Sequence, residues 1–88
     1  MDRPEITADK VNSTVNGLQI RITKALIKKG NGAFISRHEI LGALQEEFRE
    51  VEDAIRSADD LDKLAGELFD VAVVSVLAGI SLRLGRLD

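Results

Sequence analysis

The segment Val71–Leu82 restricts the folds open to this chain more than any other feature. Its 12 residues are mostly apolar and run without a charge between Asp70 and Arg83, and on a helix they would be apolar around the whole circumference. The segment is shorter than the roughly 18 to 20 residues that span a bilayer, so we expect it to be buried in protein. Three helices of one small chain cannot cover such a segment, so a second copy of the chain is expected to cover it.

Length and charge narrow the classes of function. The 88 residues of the chain predict a single domain covering residues 1–88. A net charge of −3 and a pI near 5.1 argue against binding to nucleic acid by unspecific charge. The absence of cysteine excludes disulfides, thiolate metal sites and cysteine nucleophiles. The acidic N-terminus does not resemble a secretory signal, so a cytoplasmic location is predicted, with neither nucleic acid nor a membrane as a partner.

A first helix is predicted from about Thr7 to Lys29. Residues 18–22 also alternate as in a strand, which is the competing interpretation. Lys28 and Lys29 suit the negative end of a helix, and Gly30 is expected to supply a left-handed stop. The apolar positions that favour the helix step by four and three residues: Val11, Val15, Leu18, Ile22 and Ala25.

The start of a second helix is marked by the strongest local signal in the sequence. Ser36 and Glu39 form an S-x-x-E capping box, which predicts that the helix begins at Ser36. Its apolar residues project onto an arc of about 100°, which is expected to face a core. These residues are Ile40, Leu41, Leu44, Phe48, Val51 and Ile55.

A third helix is predicted over about residues 60–84. Its valine content would also suit a buried strand, but the segment continues a helical pattern without a turn signal and is longer than a typical strand. The predicted fold is therefore all-α, an antiparallel bundle of three main helices per chain that is completed by oligomerisation.

Two groups of acidic residues occupy matching positions on the second and third helices. Glu46, Glu47 and Glu50 share one sector beside the apolar arc of helix two. Glu67 and Asp70 repeat the i, i+3 spacing on helix three. Because the link between the helices is short, they are expected to be antiparallel neighbours, and the two acidic groups can face each other.

Facing carboxylates need a compensating charge. Two unit charges about 4 Å apart repel by about 4 kcal/mol at an effective dielectric constant of 20. Either a cation lies among them or some are protonated. A set of carboxylate oxygens without histidine or cysteine favours Mg²⁺ or Mn²⁺ over zinc, which is the chemistry of phosphoryl transfer or hydrolysis. The alternative is a solvated acidic helix face in a highly charged protein.

The acidic residues also carry a resemblance to a known family. The string Glu-Glu-Phe-Arg-Glu at 46–50 is followed, after 16 residues, by Glu-Leu-Phe-Asp at 67–70. This EExxE…ExxD pattern resembles the MazG-like all-α nucleoside triphosphate pyrophosphohydrolases, and the similarity covers roughly residues 36–80. It implies a Mg²⁺-dependent enzyme that hydrolyses a nucleoside triphosphate to a monophosphate and pyrophosphate. It also implies a homodimer or a tetramer.

The resemblance assigns roles to the acidic residues by motif position. Glu47, Glu50, Glu67 and Asp70 would be the metal ligands. Glu46 would be the catalytic residue, an outer partner that holds or deprotonates the attacking water.

Contacts to the substrate are expected from outside this motif. Family members commonly add a fourth helix that contacts the nucleotide, and helix one of the same or a neighbouring chain is the candidate to replace it here. Lys24, Lys28 and Lys29 would then contact phosphate. Phe34, in the loop before helix two, is a candidate for stacking on the base, with anchoring of that loop as its alternative role.

Two other functions remain open. One is a non-catalytic helical module that forms oligomers and keeps the fold with a degenerate or metal-only site. The other is a related pyrophosphohydrolase of the histidine pathway that acts on a phosphoribosyl nucleotide, which no residue after Asp70 specifically supports.

Overall fold

The computed structural model describes residues 2–57 and 60–85, and the regular structure in this part is entirely α-helical. It consists of α1 (Ala8–Lys29), α2 (Arg37–Ser57) and α3 (Leu61–Arg83). The chain divides into two compact units, one with α1 up to Gly30 and one with α2 and α3 from Asn31 onward. The prediction of an all-helical chain with three helices is confirmed, and both strand alternatives are wrong.

The bounds of α1 follow from its end residues. The side chain of Thr7 accepts a hydrogen bond from the backbone N–H of Lys10 at 3.3 Å, which satisfies one of the free donors at the start of the helix. The helix ends at Lys29, as predicted. Gly30 has a φ of +86°, which favours glycine, but its ψ of 167° is not that of a left-handed helix. The expected left-handed helical cap is therefore wrong, although the position suits glycine. No residue of α1 is buried.

Both helices of the second unit begin with a side-chain cap. The hydroxyl of Ser36 accepts from the N–H of Glu39 at 3.0 Å, and the carboxylate of Asp60 accepts from the N–H of Lys63 at 3.0 Å. Each bond pairs a backbone donor that has no partner within its helix. The capping prediction at Ser36 is confirmed.

Helices α2 and α3 pack against each other. The buried apolar side chains at their contact are small: Val51 and Ala54 from α2, and Val73 and Ala78 from α3. Ser81 is buried as well, with 3% of its surface exposed. Its hydroxyl donates to the carbonyl of Leu77 at 2.8 Å and accepts from the N–H of Phe34 at 3.0 Å, so the loop before α2 is attached to the last turns of α3.

The predicted core arc of α2 is confirmed at Val51, which is buried, and wrong at its edge. Leu41, Phe48 and Ile55 were expected to face the core, but more than half of each is exposed. The helix turns Val51 and Ala54 towards α3, because small side chains let two helix backbones approach closely. Large apolar side chains therefore remain on one flank of α2.

Much of the apolar surface of α3 is exposed in the described part of this chain. The other helices therefore do not give the burial that the sequence predicts for Val71–Leu82. By length and composition, with a mean hydropathy of 1.8, α3 is the one helix among the described residues that could cross a membrane. The core helix of a soluble protein meets the same test, so this is a weak indication. The exposed large side chains of α3 are Leu61, Leu68, Val76, Ile80 and Leu82.

Candidate metal centre

Four carboxylates meet at the contact of α2 and α3. Glu47 and Glu50 lie one turn apart on α2, and Glu67 and Asp70 lie one turn apart on α3. Since the two helices run in opposite directions, the pairs come together, and one oxygen from each residue lies within 4.8 Å of the others. The expected convergence of the two acidic pairs is confirmed.

The carboxylates differ in their exposure to water. Glu50 is exposed, whereas Glu47, Glu67 and Asp70 are half-buried. One oxygen of Glu47 and one of Glu67, the Oε2 atom in each case, is buried and has no hydrogen-bond partner among the described residues. A buried acceptor without a donor is costly, so these two oxygens lack the partner that a cation would supply.

The pKa values of Glu47 and Glu67 also indicate that a cation would stabilise the cluster. Burial raises the pKa of Glu47, and the charges of Glu50 and Asp70 together with a hydrogen bond to Glu50 raise it further. Burial also raises the pKa of Glu67, as do its hydrogen bond to Glu50 and the charges of Glu50 and Asp70, while Lys63 opposes the change. The anionic form of both groups is therefore less stable in the folded chain than in water, and an added positive charge would oppose this effect.

The arrangement could hold a metal ion. Its donors are all carboxylate oxygens, two from each helix, and hard divalent cations prefer such ligands. A cation among them would remove the repulsion that raises the pKa values and would pair the two buried oxygens. The residues present therefore fit a hard metal ion in both charge and ligand chemistry.

The other predicted site residues lie outside this cluster. Glu46 is exposed on α2 and is not one of the four converging carboxylates. Lys24, Lys28 and Lys29 are exposed on α1, in the other unit, so their contact with phosphate stays a prediction.

Phe34 is half-buried, and its backbone N–H bonds to Ser81. This bond supports the alternative role for Phe34, which is to anchor the loop. Stacking on a base stays a prediction.

Two features were missed by sequence reasoning. Ser81 stands in an apolar helical run, but Ser75 stands in the same run and is exposed, so the sequence does not show which serine makes a buried contact. The exposure of Phe48 was missed because an apolar arc does not show which of its edges meets the neighbouring helix. Phe48 helps to line an open groove of about 500 Å³ with Leu44, Gln45, Arg49, Glu52 and Val71.

Comparison with known proteins adds no identification. No family model, no curated protein and no solved structure matches this chain. The resemblance to MazG-like enzymes therefore depends on the acidic motif alone.

Proposed function

We propose that this chain is a Mg²⁺-dependent hydrolase that converts a nucleoside triphosphate to a nucleoside monophosphate and pyrophosphate, as a MazG-like protein would. The observation that carries the proposal is the convergence of four carboxylates from two helices within 4.8 Å. Two of them have a buried oxygen without a hydrogen-bond partner among the described residues. The EExxE…ExxD spacing supports the same function.

The four carboxylates have the role of holding the metal. Glu47 and Glu50 would bind from α2, and Glu67 and Asp70 from α3, with Mn²⁺ as the second candidate ion. When bound, the ion would neutralise charge that develops on the phosphates and lower the pKa of a bound water. Glu50 is the exposed member, and a substrate would reach the ion from its side.

Other residues have roles around this centre. Glu46 would accept a proton from the attacking water or hold that water in place, because it is exposed beside Glu47 and need not serve as a ligand. Lys24, Lys28 and Lys29 would contact phosphate oxygens. The working form would be a homodimer or a tetramer in the cytoplasm.

Pyrophosphate release tests the proposed reaction. The whole chain is incubated with each common ribo- and deoxyribonucleoside triphosphate, in excess Mg²⁺ and in EDTA. We expect release of pyrophosphate from at least one of them with Mg²⁺ and none with EDTA. Release of inorganic phosphate instead would contradict cleavage between the α and β phosphates.

A pair of variants tests the site. Glu50→Gln removes one charge from the cluster, and we expect turnover to fall by at least about 100-fold, since even outer partners of a metal site cost 10- to 100-fold. Asp53→Asn is the matched control, because Asp53 is an exposed acid on the same helix outside the cluster. Circular dichroism should show unchanged helical content in both. Equal turnover in Glu50→Gln and the wild type would refute the proposed site.

The non-catalytic alternative gives a different result. The exposed apolar surface of α3 favours a module that acts by association, with a site that binds metal only. Such a protein would show a melting temperature that rises with Mg²⁺ while no triphosphate is hydrolysed.

A further inference from the structure

The outer face of α3, which we define by the heptad positions below, has a regular composition. It alternates large or polar residues with very small ones at spacings of four and three, the repeat of a coiled-coil seam. Leu68 is 50% exposed and Leu82 is 54% exposed, so this chain leaves the face uncovered. The face consists of Leu61, Ala65, Leu68, Ala72, Ser75, Gly79 and Leu82.

The alternation makes the face complementary to itself. When two copies of α3 run antiparallel, the leucines of one copy can lie opposite small residues of the other. One register places Leu68 opposite Gly79 and Leu82 opposite Ala65, and the central layer of Ser75 and Ala72 is small on both sides. A large side chain then fills the space left by a small one, and the backbones approach closely. The same contacts repeat on both sides of a two-fold axis.

Charge at the ends of α3 favours the same orientation. Asp62 lies in the first turn and Arg83 in the last turn, and each directly follows a leucine of the outer face. They therefore lie on one flank, about 32 Å apart along the helix at 1.5 Å per residue. An antiparallel partner places its Arg83 beside Asp62 and its Asp62 beside Arg83. A parallel partner would place both Asp62 residues at one end of the pair and both Arg83 residues at the other, so no opposite charges would meet.

We propose that the outer face of α3 binds the same face of a second copy of this chain, antiparallel, in the register that pairs Leu68 with Gly79. Glu67 and Asp70 lie on the face of α3 that meets α2, so this pairing leaves the acidic cluster accessible. The proposal specifies the partner and the interface of the oligomer in the proposed function. It uses none of the metal ligands, so loss of hydrolysis and loss of the dimer can be told apart.

A lipid bilayer is the competing partner for this surface. If α3 crossed a membrane, Glu67 and Asp70 would enter the hydrocarbon region, where acidic side chains are costly. The outer face also carries Ser75 and Gly79, and it ends in opposite charges at Asp62 and Arg83. These features suit a protein partner of the same sequence better than lipid.

Gly79→Leu tests the close approach. A Cβ atom added at Gly79 meets nothing within 4 Å, so a side chain can begin there without a clash in the single chain, and leucine favours the helix over glycine. In the pair, the new side chain would meet Leu68 of the partner copy. Analytical ultracentrifugation over a wide concentration range should show a dimer for the wild type and a dissociation constant raised by about tenfold or more in the variant.

Gly42→Leu is the matched control for this test. Gly42 lies on α2, is exposed, and also has open space for a Cβ atom. We expect its dissociation constant to equal that of the wild type. If Gly42→Leu weakens the dimer as much as Gly79→Leu does, the assignment to the outer face of α3 is overturned.

The charges provide a test of orientation. Asp62→Arg and Arg83→Asp should each weaken the homodimer, because each places two like charges at both ends of the pair. An equimolar mixture of the two variants should form a heterodimer with the wild-type affinity, since every arginine then faces an aspartate. Failure of the mixture to recover would overturn the antiparallel arrangement.

Flotation with vesicles separates the protein partner from lipid. The whole chain is mixed with vesicles of phosphatidylcholine and phosphatidylglycerol, and we expect a dimer that stays with the soluble fraction. A wild-type chain that is monomeric at every concentration would overturn the proposal. If the wild type floats with the vesicles and Leu68→Asp does not, the outer face binds lipid, and the proposal is overturned as well.

Discussion

The two faces of α3 differ in charge and in polarity. The inner face, which meets α2, contains the charges of Glu67 and Asp70. The outer face contains no charge between Leu61 and Leu82 and leaves Leu68 and Leu82 about half exposed. In an ordinary helix of a soluble protein, the apolar stripe faces inward and the charges face water.

This reversal shows that neither face of α3 is satisfied by the single chain. The inner face has acidic groups whose pKa values are raised, and the outer face has apolar surface in contact with water. We propose a cation as the partner of the inner face and a second copy of the chain as the partner of the outer face. The two needs are chemically independent, so experiments can address them one at a time.

The largest expected effect comes from placing one new charge on each face. Val73 is 7% exposed in the contact with α2, and Val73→Asp should lower the free energy of unfolding by more than about 3 kcal/mol. Leu68→Asp should keep the helical content and only weaken self-association. Urea unfolding followed by circular dichroism measures both, and equal loss of helix in the two variants would contradict the distinction between the faces.

Magnesium should stabilise the inner face. At a concentration one hundredfold above the dissociation constant, a ligand of the folded state alone adds about 2.7 kcal/mol. For a chain of this size, this is a rise in melting temperature of roughly 10 °C or more. Differential scanning calorimetry measures it against NaCl of equal ionic strength. The shift should vanish when Glu47 and Glu67 are both replaced by glutamine; a shift of the same size in that variant would place the ion elsewhere.

The inner face should also give a pH dependence of stability. The pKa values of Glu47 and Glu67 are raised above 4.5 in the folded chain, so the folded state binds these protons more tightly than the unfolded state does. Their contribution to stability is therefore greatest at or below pH 4.5 and is lost as the pH rises through the raised pKa values. The melting temperature is therefore expected to fall as the pH rises through this range.

Thermal melts in EDTA at several pH values, compared with the double glutamine variant, isolate this contribution. Excess Mg²⁺ should reverse its sign, because a bound cation favours the charged carboxylates. A difference between wild type and variant that does not change with pH would show that the two acids are solvated like those of the unfolded chain.

The smallest expected effect concerns the loop before α2. Ser81→Ala removes the acceptor for the N–H of Phe34 and should lower the free energy of unfolding by about 1 kcal/mol. Ser57→Ala is the matched control, because the exposed hydroxyl of Ser57 bonds within its own helix, to the carbonyls of Asp53 and Ala54. Chemical denaturation should show no loss for the control; equal losses would mean that Ser81 adds nothing beyond helix propensity.

Local signals predicted the helices well. The capping position at Ser36 and the stop after Lys29 depend on nearest neighbours in sequence, and both appear in the structure. The meeting of the acidic pairs was also predictable, since a short link between two helices brings matching positions together.

Features that depend on packing were not predictable in the same way. The rotation of α2 about its own axis depends on how closely α3 approaches Ala54 and Val51. The spacing of apolar residues along the sequence gives no information about this approach. As a result Phe48 was expected inside and lies at the surface. The bond between Ser81 and Phe34 joins residues 47 positions apart, and no local pattern specifies such a pair.

That bond between distant residues has a consequence for the order of folding. Helices α2 and α3 are neighbours in sequence, so their pairing requires only local contacts, and chains of this kind fold in microseconds to milliseconds. The bond from Phe34 to Ser81 closes a loop of 47 residues, and its entropic cost is met only once both helices are in place. The loop before α2 should therefore be the last part of this unit to become ordered and the first to open.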